Sequence, residues 1–302
     1  MNNKNDRHAY LIIAHNEFKV LDILLQLLDD KRNDIYLHID KKVSVIPPFT
    51  HIVNAGIHVL SKRYDVHWGD ITQIKTEMAL YREAYSHGPY QYYHLLSGVD
   101  LPIKSQDEIH KFFNTYNGKE FVGFFQGKYH EDDTCRKVSR YYLFMGYNKR
   151  NKQTFLPLRI LATIIRHTFL KLQDITHIYR KQEINFKKGH NWASLTEKAV
   201  KYLLENENFI FKRFKYMQCP DEIYKQSVLF SSPLRHNIYN IENDQLGCMR
   251  AIDWNRGEPY CWQDSDWEEL KNSKYLFARK IYSSQQQLIN NIINHCKKGN
   301  NI

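Results

Sequence analysis

Apolar and polar positions alternate with two different periods over the first 125 residues. AYLIIAH (9–15) is a short, almost continuous apolar run and predicts a buried strand. In NEFKVLDILLQLLDD (16–30), Phe18, Leu21, Leu24, Leu25 and Leu28 recur at helical spacing. IYLHID (35–40) predicts a second strand and IHVL (57–60) a third. HWGDITQIKTEMALYREAYS (67–86) predicts a long amphipathic helix, and QYYHLLSGVD (91–100) a strand running into a loop. Ser105 with Glu108 makes a capping box for a helix through Tyr116, and EFVGFF (120–125) closes the series as a strand. Strands and helices in alternation predict an α/β fold, with a mostly parallel central sheet and helices on both faces. Ligands of such sheets sit at the carboxyl ends of the strands.

The stretch 128–188 breaks that rhythm. It opens on Glu131, Asp132 and Asp133, then turns basic, and FLPLRILATIIRHTFLKL (155–172) predicts an amphipathic helix. Arg159 and Arg166, seven apart, share a face of it. The helix either lies on an anionic bilayer or packs on the main body with its basic residues solvated. Order returns in NWASLTEKAVKYLLENE (191–207), with Ser194 and Glu197 as a second capping box. PDEIYKQSVLFSS (220–232) starts a helix on Pro220, MRAIDW (249–254) predicts a strand, and Ser265 with Glu268 caps a short helix to Leu270. The expected organisation is one domain over 1–302: a nucleotide-binding half (1–127), an inserted basic helical segment (128–188), and an acceptor and catalytic half (189–302).

Composition adds little to the fold but narrows the function. The 302 residues are 42% hydrophobic and 25% charged, with 12 Gly and 8 Pro, which excludes fibrous and low-complexity chains. The formal net charge is +10, which points to an anionic partner. Residues 128–188 hold 14 Lys and Arg against 5 Asp and Glu, nearly the whole excess. Cys135, Cys219, Cys248, Cys261 and Cys296 are odd in number and form no C-x-x-C, so neither a disulfide framework nor a zinc site is expected. The apolar run Ala9–Ala14 is short for a signal peptide, and charges interrupt 155–172. A cytoplasmic protein that touches the inner membrane face is the expectation.

The chain has no G-x-G-x-x-G and no P-loop. Its first two strands end on polar residues, His15 and Asn16 after one and Asp40 after the other. A carboxylate there either accepts hydrogen bonds from a ribose or base, or is an ordinary solvated loop residue. Clusters of Trp, Gly, Asp and Lys stand at other element boundaries: HWGD (67–70), SGVDLPIKS (97–105), GHNW (189–192), PDE (220–222) and LFARKI (276–281).

The order and wording of these segments resemble the core-2/I-branching β-1,6-N-acetylglucosaminyltransferase family, which also contains peptide O-xylosyltransferases. The resemblance runs from AYLIIAHNE through YLHID, VHWGDITQIKTEMALYREAY, SGVDLPIKS, GHNWASLT, PDEIYKQSVLFSSP and MRAIDW to LFARKI. It is thinnest over 128–188. It implies a GT-A glycosyltransferase fold, a nucleotide-sugar donor, inversion at the anomeric carbon and no divalent metal or other cofactor. Glu222 matches the family's catalytic base, although a first-turn acid also simply complements a helix dipole. Arg250 and Lys280 match its diphosphate-binding positions, with Arg279 adjacent. Ala14, His15 and Asp40 are expected at the nucleoside. Asp100 and Trp192 are expected to contact donor or acceptor, and Trp192, Trp254 and Trp262 either face a sugar or pack in the core. The donor expected is UDP-GlcNAc, with UDP-xylose or UDP-galactose next, and the acceptor an oligosaccharide or lipid-linked glycan in cell-surface polysaccharide synthesis. The chain is read as a bacterial-type member without the membrane anchor of animal members. The only literal D-x-D, Asp264-Ser265-Asp266, would serve a metal-using rival but is better explained by helix capping. A basic nucleic-acid-binding protein is a distant rival, since no RRM, KH or helix-turn-helix pattern is present.

Overall fold

A computed structural model describes residues 6–49, 52–148 and 154–298. The apolar runs at 9–15 and 35–40 become β1 (His8–Ala14) and β2 (Asn33–Ile39), every residue of both buried. They join β3 (Gly56–Val59) and β4 (Tyr92–Ser97) as four parallel strands, in the spatial order β3-β2-β1-β4. β7 (Ala193–Thr196) adds antiparallel to β4, and β6 (Phe121–Val122) adds to β7. Strands buried on both faces need no polar alternation. In β1, Tyr10, Ile12 and Ala14 face one core, with Leu24, Phe113 and Ile292. Ala9, Leu11 and Ile13 face a second, with Met78, Val200 and Leu229. Helices α1 (Phe18–Leu28), α3 (Gln106–Thr115) and α11 (Gln286–Lys298) thus cover one face, and α2 (Thr72–His87), α6 (Glu197–Glu205) and α8 (Tyr224–Phe230) the other. A small second sheet, β5 (Asp100–Pro102), β9 (Phe277–Arg279) and β8 (Arg250–Ile252), ties the segment after β4 to the last quarter of the chain.

The predicted capping box of Ser105 and Glu108 is present. Two others differ. Ser194 lies inside β7, and the cap of α6 is Thr196, whose hydroxyl accepts the Ala199 N–H. Before α10 (Trp267–Asn272) the box is formed by Gln263 and Asp266 rather than Ser265 and Glu268. HWGD precedes α2 as a loop, and Pro220–Glu222 is a 3₁₀ turn set before α8, so Glu222 is outside that helix.

The helix expected over 155–172 is α5 (Leu156–Thr176), and its orientation is inverted. Its buried residues are Ala162, Arg166 and Gln173. Arg166 donates to the Phe144 carbonyl at 3.2 Å, and the Gln173 amide pairs with both backbone groups of Tyr141 at 2.9 and 3.0 Å. Ile160, Leu161, Ile164, Leu172 and Ile175 are exposed. Polar side chains hold this helix to the body, and the apolar ones face out. Among the described residues no helix is long and apolar enough to cross a membrane.

Candidate functional site

The carboxyl ends of β1, β2 and β4 open into a cleft of about 1110 Å³. The strand order reverses between β1 and β4, so the loops after them diverge and leave a crevice. Gly98 makes the wall there: a Cβ at this position would meet the Ala14 Cβ at 2.9 Å. Ala14, His15 and Asp40 line this end. Asp40 is 3% exposed and accepts the Lys42 N–H at 2.8 Å, the Lys42 ammonium at 3.0 Å and the Val66 N–H at 3.2 Å. It therefore anchors the loop that leads toward HWGD as well as facing the cleft.

The opposite wall comes from the distant motifs. Cys219, at positive φ, donates its N–H to the Gly69 carbonyl at 3.1 Å, joining the HWGD loop to the turn that carries Glu222. Asp221 and Glu222 both line the cleft. The Lys188 ammonium lies 3.6 Å from Glu222 and 2.9 Å from Asp133. Asp133 also pairs with Lys137 at 2.8 Å and Arg136 at 2.5 Å. Burial opposes its ionisation, but these three cations hold its carboxyl far below the usual range. Asp221 is shifted the other way, upward, by burial and then by the neighbouring carboxylates Glu222 and Glu77. Asp133 and Asp221, both lining the cleft, thus have opposite surroundings, one ringed by cations and the other by carboxylates.

Behind this turn lies a fully buried polar network. The Lys225 ammonium pairs with Glu77 at 2.5 Å and also donates to Asn191. Tyr224 and Asn191 each donate to Glu77 at 2.7 Å. It ties α2, GHNW and PDEIYKQ into one rigid support. An acid on the apolar face of α2, between Ile74, Met78 and Tyr81, was the signal for it in the sequence.

Arg279 and Lys280 line the cleft, beside Trp192. The Arg279 guanidinium stands 4.2 Å from the centre of the Trp192 ring and donates to Asp100 at 2.7 Å and to Ser97. Asp100 itself does not line the cleft; at 2% exposure it accepts the Ser97 N–H at 2.8 Å and orients Arg279. Arg250 needs a larger correction. It is 1% exposed and points into the core, where it donates to the carbonyls of Cys248, Leu95 and Ala193 and to the Ser194 hydroxyl. A guanidinium committed to those acceptors is no diphosphate ligand. Of the tryptophans, Trp192 and Trp254 line the cleft, and so does Trp68 of HWGD. Trp262 is core: its N–H donates to the Arg279 carbonyl at 3.0 Å.

Asp264 and Asp266 lie away from the cleft. Asp264 accepts the Leu288 N–H at 2.8 Å at the start of α11, and Asp266 completes its capping box and pairs with Arg256 at 3.2 Å. No group of three or more metal-ligating side chains occurs among the described residues.

The cleft thus combines cations, paired acids and exposed aromatic rings at the carboxyl edge of a parallel sheet. A family model described as Core-2/I-Branching enzyme matches residues 8–275. Xylosyltransferase 1 of Mus musculus is 22% identical over 312 residues, covering 94% of this chain and 30% of that protein. Xylosyltransferase 1 of Homo sapiens is 21% identical over 322 residues, covering 97% of this chain and 31% of that protein. The chain spans about a third of the length of these relatives. Helices flanking the central sheet on both faces agree with a GT-A-like glycosyltransferase fold. By the match over most of its length, the chain belongs to the Core-2/I-branching enzyme family.

Proposed function

We propose that this chain is an inverting glycosyltransferase that moves a sugar from a UDP-sugar to a glycan hydroxyl, with Glu222 as base. The observation that carries this reading is that Glu222 faces the same cleft as Arg279, Lys280 and the ends of β1 and β2. In one in-line displacement the acceptor oxygen bonds to the anomeric carbon as the bond from that carbon to the phosphate oxygen breaks. The electron pair leaves with the diphosphate, and the hydroxyl proton passes to the Glu222 carboxylate. Arg279, the last residue of β9, and Lys280, which follows it, would meet the growing charge of the diphosphate without a metal. Ala14, His15 and Asp40 would hold the nucleoside. Trp68, Trp192 and Trp254 offer flat faces to sugar rings.

UDP-GlcNAc is the donor of first choice. UDP-xylose is a second reading, favoured by the names of the mouse and human relatives. An oligosaccharide, free or lipid-linked, suits the open cleft. The test is Glu222→Gln, assayed with UDP-GlcNAc and UDP-xylose, with and without EDTA. Transfer falls by roughly 10²–10⁴-fold while UDP binding persists; near-parent turnover ends the assignment. Activity abolished by EDTA and restored by Mn²⁺ would overturn the metal-free reading.

A further inference from the structure

We infer that the outward face of α5 is a docking surface for an anionic lipid bilayer. The helix carries Ile160, Leu161, Ile164, Leu172 and Ile175 into solvent, at 39–75% exposure together with Ile165. These positions fall on one side of a 21-residue helix, opposite the Ala162, Arg166 and Gln173 that seat it. A contiguous apolar face of this length on a soluble body marks an interaction site.

Two observations select a bilayer as the occupant. The first is charge. The segment 128–188 carries an excess of nine positive charges, and Lys171 stands exposed within the apolar face. Arg136, Lys137 and Lys188 are taken up at Asp133 and Arg166 is buried, so the face itself presents Lys171. The rest of the excess draws the segment as a whole to an anionic leaflet, whereas a second copy of the chain would bring two basic segments together. The second is the aromatic rim. Phe144, Tyr147, Phe155 and Tyr179 are exposed beside the ends and flank of the helix. Aromatic side chains there suit the level of the lipid headgroups. A helix of this kind lies in the interface with its apolar side sunk into the headgroup and acyl boundary.

The position also makes functional sense. Thr154, two residues before α5, lines the cleft, as do Tyr129, Arg136 and Lys137 from the same segment. A bilayer under α5 would therefore lie beside the cleft mouth, within reach of a membrane-borne acceptor. The docking itself does not depend on which sugar is transferred, or on transfer at all.

Flotation of the purified full chain tests this. The vesicles are phosphatidylcholine with about one lipid in three phosphatidylglycerol, against phosphatidylcholine alone. The parent floats with the anionic vesicles, less with the neutral ones, and is released by high salt. Ile164→Glu/Leu172→Glu keeps the parent melting temperature, because both side chains are solvent-facing, and binds about tenfold less. The proposal is overturned if the parent stays with the dense fraction, or if the double variant floats as well as the parent. It is equally overturned if sedimentation equilibrium finds a dimer that the double variant dissolves, since a second copy then covers the face. A chain that floats but transfers no sugar would refute the proposed activity and leave the docking intact.

Discussion

Lys225 and Glu77 form an ion pair at 2.5 Å with both side chains wholly out of solvent, directly behind the turn that carries Asp221 and Glu222. Burial pulls the lysine down from its ordinary value, and the Glu77 carboxylate is the main force acting the other way. Removing one partner leaves a charge stranded. Lys225→Met is expected to lower stability by about 3–5 kcal/mol, while Lys225→Met/Glu77→Gln loses less than the sum of the single changes. Urea denaturation of the four proteins in the cycle measures the coupling.

Arg250 and Lys280 separate by the property they affect. Arg250→Met leaves three carbonyls and a hydroxyl without their buried donor, and is expected to cost about 2–4 kcal/mol of stability with UDP affinity near that of the parent. Lys280→Ala is expected to leave the melting temperature alone and weaken UDP binding by about 10–100-fold. Calorimetric titration beside thermal unfolding reads both. Unchanged UDP affinity in Lys280→Ala would place the diphosphate elsewhere in the cleft.

Trp192 is expected to act through Arg279. The ring and the guanidinium are 4.2 Å apart, and Asp100 holds the far side of the arginine. Trp192→Leu is expected to weaken UDP binding by about three- to thirtyfold, from loss of a half-buried cation–π contact. A parent-like dissociation constant would show that Asp100 alone positions the guanidinium.

Acid is expected to unfold the protein through three buried imidazoles. His8 and His94 are hydrogen-bonded at 3.0 Å, and His8 stacks on His110 at 3.9 Å. Burial, then the His110 charge, holds His8 well below 6.5. Burial, then His8, does the same for His94. Burial, then Arg32, brings His110 down to about 4. Below 6.5 the unfolded chain takes up protons that the folded chain refuses, so stability falls as pH falls through that window. Each imidazole contributes up to about 1.4 kcal/mol per pH unit. Denaturation midpoints between pH 7.5 and 5 measure the slope, and His110→Phe is expected to reduce it.

What could be read from residue order follows from how each feature is held. β1, β2 and β4 were legible because strands buried on both faces appear as mostly apolar runs, interrupted only by single residues such as His38 and His94 within them. β7 was not, because Ser194 and Glu197, three apart, imitate a capping box; in the fold Ser194 lies in the strand and meets His94 at 2.8 Å, and the cap is Thr196, which also meets the buried Glu120. The convergence of Ala14, His15, Asp40, Trp192, Glu222, Arg279 and Lys280 on one cleft follows from strand ends and loops that motif order already placed. Arg250 failed because matching a motif does not reveal which side of a three-residue strand points inward. For α5, periodicity located the apolar stripe but carries no information on which side faces the body. The Asp133 cluster with Lys137 and Lys188 joins residues up to 55 apart, a closure that local pattern does not record.

The antiparallel placement of β7 has a consequence for synthesis. His94 pairs with Ser194, one hundred residues later. As the chain leaves the ribosome, β1 to β4 can assemble early, yet β4 keeps an open hydrogen-bonding edge until the whole basic segment and β7 have emerged. That long contact is slow to close, and in the interval the nascent sheet presents a sticky margin to its neighbours. Translation speed across 98–192 therefore governs how long the half-built chain is vulnerable to aggregation.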